Sequence, residues 1–268
     1  MPRANRYFLP NYVWHITHRC HKKEFLLKFA RDRRRWRAWL FEAKKRYGLC
    51  VLNYIVTSNH IHLLVRDRGR GEIAKSMQLV AGRTAQEYNQ RKSRRGAYWE
   101  DRYHATAVDS EEYLARCMTY IDMNMVRAGA VEHPAQWALS GYREIQAPPK
   151  RYAVIDHSAL QDLLGFRDFG QLQRACGEWV DAALRCERQT RESVWSESLA
   201  VGRREFVEQV KAELAVRGRY RTPTEAEDLY ALKEPAADYA MESSDEMARL
   251  SGNNTIVLAW NAVDQGLA

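Results

Sequence analysis

Thr57-Ser58-Asn59-His60-Ile61-His62-Leu63-Leu64-Val65 sets two histidines either side of an isoleucine inside an apolar run. Successive side chains of a strand alternate faces, so His60 and His62 point one way while Ile61, Leu63 and Val65 point into a core. Two imidazoles on one rigid face are half of a metal site, or else a polar pair on a solvated strand face; the pair alone does not choose between these. Whatever completes a site must come from elsewhere in the chain.

Working outward, Leu49 to Val56 reads as a strand, and Ser58-Asn59 leave room for a tight turn into His60 to Arg66, making a hairpin with the histidines at its start. Before it, Tyr12 to His18 alternates with aromatic and β-branched residues and reads as a first strand. Arg31 to Tyr47 has a helical stripe through Trp36, Trp39, Leu40, Ala43 and Tyr47, with Arg33, Arg34, Arg37, Lys44 and Lys45 on the other face and Gly48 to end it. After the hairpin, Glu72 to Gln90 has helical spacing and His104 to Val108 is a short strand. Asp109-Ser110-Glu111-Glu112 then reads as an N-cap with acids in the first turn of a helix from about Glu111 to Ala128. The resulting order is β-α-β-β-α-β-α.

On that last helix Tyr113, Cys117, Tyr120 and Asn124 fall at spacings of four, three and four, and share a face. Asn124 is a poor helix former whose amide competes with the backbone, so its position asks for a reason. Either it is a capping residue beside a core tyrosine, or Tyr120 and Asn124 bring a phenol and an amide to one place. Arg91-Lys92-Ser93-Arg94-Arg95-Gly96 followed by Ala97-Tyr98-Trp99 sets bases beside aromatics, which suits a single-stranded nucleic acid and equally suits a solvated loop.

The 268 residues carry a net charge of +8. Nine acids against two bases from Thr222 to Ala268 make that tail −7, which leaves +15 on residues 1–221 and favours a polyanionic partner. The five cysteines, Cys20, Cys50, Cys117, Cys176 and Cys186, have no Cys-x-x-Cys spacing and read as reduced thiols. No apolar run approaches the roughly 20 residues that span a bilayer, and the N-terminus leads into no signal-peptide core. A cytoplasmic protein, with no membrane partner, is the expectation.

Over residues 1 to about 145 the chain resembles the single-tyrosine HUH transposases, in particular the REP-associated tyrosine transposases of bacteria. The resemblance is carried, in order, by Tyr12-Val13-Trp14-His15-Ile16-Thr17-His18-Arg19, by Ser58 to Val65, by Arg102-Tyr103-His104-Ala105, by Tyr120-Ile121-Asp122-Met123-Asn124-Met125-Val126-Arg127-Ala128-Gly129, and by Trp137-Ala138-Leu139-Ser140-Gly141-Tyr142. It implies an α+β fold, a ferredoxin-like antiparallel sheet with flanking helices (the HUH nuclease fold). It implies His60, His62 and Asn124 as ligands of a divalent metal, Mg²⁺ or Mn²⁺, and Tyr120 as a nucleophile that forms a 5′-phosphotyrosine link and releases a 3′-OH. Single-stranded DNA with hairpin repeats is the implied partner, the bacterial nucleoid the place of work, and a monomer or homodimer the implied assembly. Arg91, Lys92, Arg94, Arg95, Trp99, Arg102 and Arg127 are candidate DNA contacts.

The chain departs from the family in having Thr57-Ser58 where Met-Pro is usual, and Met125 where a proline usually follows Asn124. Met125 is expected to let the helix continue. Asp122, where the family often has histidine, is expected to alter the charge near Tyr120. A domesticated relative that binds hairpins without cutting them is the competing expectation. A zinc hydrolase is disfavoured, since no His-Glu-x-x-His accompanies the histidine pair.

Ala147-Pro148-Pro149-Lys150-Arg151 reads as a linker. The expected organisation is therefore a nuclease domain over 1–148, a C-terminal helical extension over 149–221 built from Asp156 to Leu164, Phe169 to Arg185 and Arg203 to Val216, and an acidic, partly flexible tail over 222–268.

Overall fold

The computed structural model describes residues 9–186, 192–215, 221–226 and 229–233. Most of the acidic tail, with Ser243-Ser244 and Gly252-Asn253-Asn254, lies outside the described residues.

Strand β1 (Val13–Arg19) runs antiparallel between β3 (His60–Arg66) and β4 (His104–Val108), and β2 (Cys50–Val56) joins β3 through the hairpin. The order β2-β3-β1-β4, with α1 (Ala30–Tyr47) and α2 (Glu72–Arg91) as the crossovers, is that of a ferredoxin-like sheet. Gly48 ends α1 in the left-handed region, at φ 71°, where a residue without Cβ meets no penalty. Both faces of the sheet are covered. Tyr54 of β2 meets Arg37 of α1, and Trp99, stacked on His18 of β1, donates to the Ala81 carbonyl of α2, so those helices cover one face. Asn53, on the opposite face, donates to the Met118 carbonyl of α3 (Glu112–Asp122).

Two local expectations do not hold. Asp109 does not cap α3: the chain enters that helix through Glu111, at φ 55°, with no side-chain cap. The Asp109 carboxylate instead accepts from the Ser110 amide and from the Arg203 amide, Nε and Nη2, at 2.8 to 3.1 Å. A buried carboxylate with a guanidinium in reach takes that charge-assisted partner over a local amide. Burial by itself would raise its pKa, but the Arg203 bonds bring it below the ordinary aspartate value. The second correction is at Met123, where the expected continuous helix divides into α3 and a short α4 (Asn124–Arg127) although no proline is present. Arg127 Nη2 donates to the Tyr120 carbonyl at 2.6 Å, the carbonyl that an unbroken helix would offer to the Asn124 amide.

Beyond α5 (Gly141–Gln146) the chain has little regular structure until α6 (His157–Leu164), yet it is tied down: Glu144 accepts from the Val154 and Ile155 amides, and Arg37 and Tyr54 both reach Glu144. Helix α7 (Phe169–Arg185) packs on α3. The C-terminal segment is not purely helical, because it also adds strands to the sheet. After α8 (Val194–Glu197), β5 (Ser198–Gly202) pairs in parallel with β4, and past α9 (Arg204–Glu213) the strands β6 (Pro223–Ala226) and β7 (Leu229–Lys233) widen the sheet to seven strands. Among the described residues no helix is long and apolar enough to cross a membrane. All five cysteines are free thiols.

Candidate functional site

The register of β1 against its neighbours decides which side chains meet. Thr17 faces both His62 and His104, Arg19 faces His60, and His15 faces Leu64 and Thr106. Cross-strand partners share a face, so His15, His60, His62 and His104 lie on the side of the sheet that α3 covers. Above the open end of that row is a cavity of about 560 Å³, lined by His60, His62, His104, Arg102, Tyr120, Asn124 and Arg127, with Ser196 and Glu197 of the C-terminal segment on its rim. All four residues of the expected chemistry therefore come together, within one chain.

Each ligand candidate is held by a neighbour. His60 Nδ1 lies 2.7 Å from Asn59 Oδ1 and 3.0 Å from Thr57 Oγ1, and the Thr57 hydroxyl also donates to the His60 carbonyl. Because an amide oxygen only accepts, His60 carries its proton on Nδ1, which leaves Nε2 as the lone-pair nitrogen of the neutral ring. His62 is 4% exposed; its Nδ1 is 2.8 Å from His15 Nε2 and its Nε2 is 3.1 Å from Asn124 Nδ2. A half-turn of the Asn124 amide exchanges nitrogen for oxygen at nearly the same place, so this side chain offers an ion a carbonyl oxygen. Two imidazoles and an amide oxygen suit a divalent ion that keeps its full charge for a phosphate. Among the described residues no group of three His, Cys, Asp or Glu side chains is placed to hold a metal; the Asn124 amide lines the same cavity as the His60 and His62 imidazoles.

Tyr120 is nearly buried, its ring edge-on to His62 and His15 at centroid distances of 5.9 and 6.1 Å. The Arg127 guanidinium covers the ring at 4.3 Å from its centroid. Burial lowers the pKa of Arg127, against the pull of Tyr120 and Glu192. Tyr113, the other tyrosine of the helix face, is not in this cavity; Asp109 and Arg203 lie in its electrostatic surroundings.

The other expected DNA contacts divide. Arg102 and Arg127 line the cavity. Arg91 pairs with Asp32, Lys92 lies over Phe29, and Arg94 donates to Asn89, the Ala97 carbonyl and Glu24. Arg95 is exposed on that same loop. Trp99 is stacked on His18, with its indole N–H given to Ala81. Asp122 points to β2, where Asn53 Nδ2 donates to it at 3.0 Å. Burial pushes its pKa up to about 7, partly offset by hydrogen bonds from Asn53 and the Tyr142 backbone.

Sequence reasoning missed His15 and Trp195. His15 is fully buried, its Nδ1 2.7 Å from the Trp195 carbonyl, and burial drives its pKa down to about 4. Strand alternation puts His15 on the same face as Thr17, but only the pairing of Thr17 with His62 brings it to that histidine; Trp195, in an unassigned segment 180 residues away, offered no signal.

Residues 9–124 match the profile of the protein family described as "Transposase IS200 like", a span that contains His60, His62, Tyr120 and Asn124. No curated protein matches in sequence. Among solved structures, that of a REP-associated tyrosine transposase bound to a REP hairpin is similar at 17% identity and a TM-score of 0.47, over 59% of this chain and 96% of that one. The structure of a candidate transposase from Deinococcus radiodurans is similar at 17% identity and a TM-score of 0.32, over 44% of this chain and 94% of that one.

Proposed function

We propose, from the match of residues 9–124 to the profile of the IS200-like transposases, that this chain cuts and rejoins single-stranded DNA beside hairpin repeats through a tyrosine–DNA link. The observation that carries this reading is the shared cavity, where Tyr120, His60, His62 and Asn124 meet Arg19, Arg102 and Arg127. Tyr120 Oη attacks the scissile phosphorus, a Tyr–O–P bond to the 5′ side forms, and the bond to the 3′ oxygen breaks. The phenol loses its proton and the departing oxygen gains one. One phosphodiester replaces another, so rejoining needs no nucleotide cofactor.

A phenol with an ordinary pKa near 10 is a weak nucleophile at neutral pH. Arg127, over the ring, favours the phenolate electrostatically. His60, His62 and Asn124 would hold Mg²⁺ or Mn²⁺, which when bound supplies Lewis-acid polarisation of a phosphate oxygen. Arg102 and Arg127 add the positive charge that a phosphate chain needs at the mouth of the cavity.

The test is a labelled single-stranded hairpin with flanking bases, incubated with and without Mn²⁺. The unsubstituted chain should give a denaturation-resistant protein–DNA adduct. Tyr120→Phe should give none while binding the hairpin equally well, and an adduct in that variant would remove Tyr120 from its role. Hairpin binding with no cutting by the unsubstituted chain would favour the non-catalytic reading.

A further inference from the structure

We propose that His15 is a positioning residue that holds His62 in its Nδ1–H tautomer, with the Nε2 lone pair toward the cavity, and that the carbonyl of Trp195 anchors the arrangement. The proposal rests on the reading of His62 as a ligand for its bearing on cleavage, though not for the tautomer itself.

Donors and acceptors alternate along a row of three groups. The Trp195 carbonyl can only accept, so the 2.7 Å contact puts a proton on His15 Nδ1. At the other end of the row the Asn124 amide nitrogen, a donor, faces His62 Nε2 at 3.1 Å, so that nitrogen accepts and the His62 proton is on Nδ1, toward His15. His15 Nε2 is then a lone pair. It sits 2.8 Å from His62 Nδ1, and two lone pairs do not face each other at that distance, so His62 Nδ1 carries the proton and donates. What remains on His62 is the Nε2 lone pair, the atom that faces Asn124. Remove the acceptor at His15 and this hold on the His62 proton is lost.

The carbonyl that starts this row belongs to the C-terminal segment. Trp195 is fully buried, and its carbonyl also accepts from Thr106 Oγ1 at 3.2 Å. One turn on, the Ser198 carbonyl takes Thr106 Oγ1 at 2.6 Å and His104 Nε2 at 2.9 Å, and β5 then pairs with β4. The extension is thereby fastened to the strand beside β1, and its backbone sets a proton position two side chains away. Partners of this kind typically change metal affinity by about 10- to 100-fold when lost.

The test is nitrogen-15 histidine NMR of the metal-free protein, combined with Mn²⁺ titration by calorimetry. His62, assigned by its absence in His62→Ala, should show its proton on Nδ1. His15→Phe fills similar volume without an acceptor; it should shift His62 toward Nε2–H and weaken Mn²⁺ binding about 10- to 100-fold. His15→Gln, with both an amide donor and an acceptor, should hold the tautomer and stay within a few-fold in affinity. A proton on His62 Nε2 in the unsubstituted chain overturns the proposal with no variant needed. So does a folded His15→Phe whose tautomer and affinity are unchanged. If His62→Ala leaves Mn²⁺ affinity intact while the tautomer still follows residue 15, the positioning role stands and the ligand reading falls.

Discussion

The Arg127 guanidinium lies 4.3 Å from the centre of the Tyr120 ring and, at the same time, donates to the Tyr120 carbonyl at 2.6 Å. One side chain thus grips the proposed nucleophile by its ring and its backbone, and divides the helix in doing so. Arg127→Met keeps the length and removes the charge. Adduct formation in single turnover should fall about 10- to 100-fold, and the rising limb of its pH profile should move to higher pH as the phenolate loses a cation. Arg127→Lys should recover the pH position better than the rate, since it keeps the charge without the planar fork. An unmoved pH profile in Arg127→Met would show that the guanidinium serves only the backbone.

Asp122 gives a pH dependence of stability with a definite sign. Its folded pKa is raised by burial from 3.8 to about 7, so the folded state holds a proton that the unfolded chain releases more easily. Its contribution is complete below about pH 4, declines as pH rises through about 7, and is then gone; the full swing is on the order of 4 kcal/mol. Urea unfolding of Asp122→Asn should lose that decline between about pH 4 and 7. If the two proteins keep the same slope, Asp122 is not the group responsible.

The basic loop makes a graded prediction. Arg91 is committed to Asp32, and Arg94 to Asn89, Ala97 and Glu24, whereas Arg95 is exposed. If the loop follows a phosphate chain, Arg95→Ala should reduce the salt slope of hairpin binding by about one phosphate, with stability unchanged. Arg91→Ala should act mainly on stability, by leaving the nearly buried Asp32 without its cation. Equal salt slopes in Arg95→Ala and the unsubstituted chain would take this loop off the DNA path.

Gly202 sits at the end of β5, where an added Cβ would overlap Asp109 Cβ and fall 2.9 Å from Phe206. Those atoms are packed, so Gly202→Ala must displace them, at about 1–3 kcal/mol. The urea midpoint should drop, and Mn²⁺ affinity should weaken as well if the C-terminal segment supports His62. A variant as stable as the parent would mean that the β5 end yields freely.

How far these features can be read from sequence depends on how local their causes are. The strands β1 to β4 and the pairing of Tyr120 with Asn124 follow from alternation and helical spacing, which need no knowledge of partners. Asp109 looked like a cap because its actual partner, Arg203, is 94 residues away. Strand β5 was illegible for a different reason: buried along its whole length, it has no alternation to find, and its neighbour β4 is remote in the chain. His15 stands in a strand that alternation identifies, but its diagonal approach to His62 exists only once Thr17 is paired with His62.

The pairing of β5 with β4 also bears on how the molecule can be cut and how it can assemble. An unpaired strand edge is a template for another chain. Here Ala107 and Val108 of β4 are matched with Ala200 and Val201 of the same polypeptide. A second copy cannot add itself to that stretch, so any homodimer must join elsewhere. Conversely, a shortened chain ending near residue 149 would keep His60, His62, Tyr120 and Asn124 and still be a different object, with a bare edge beside its reaction chamber and His15 facing no carbonyl.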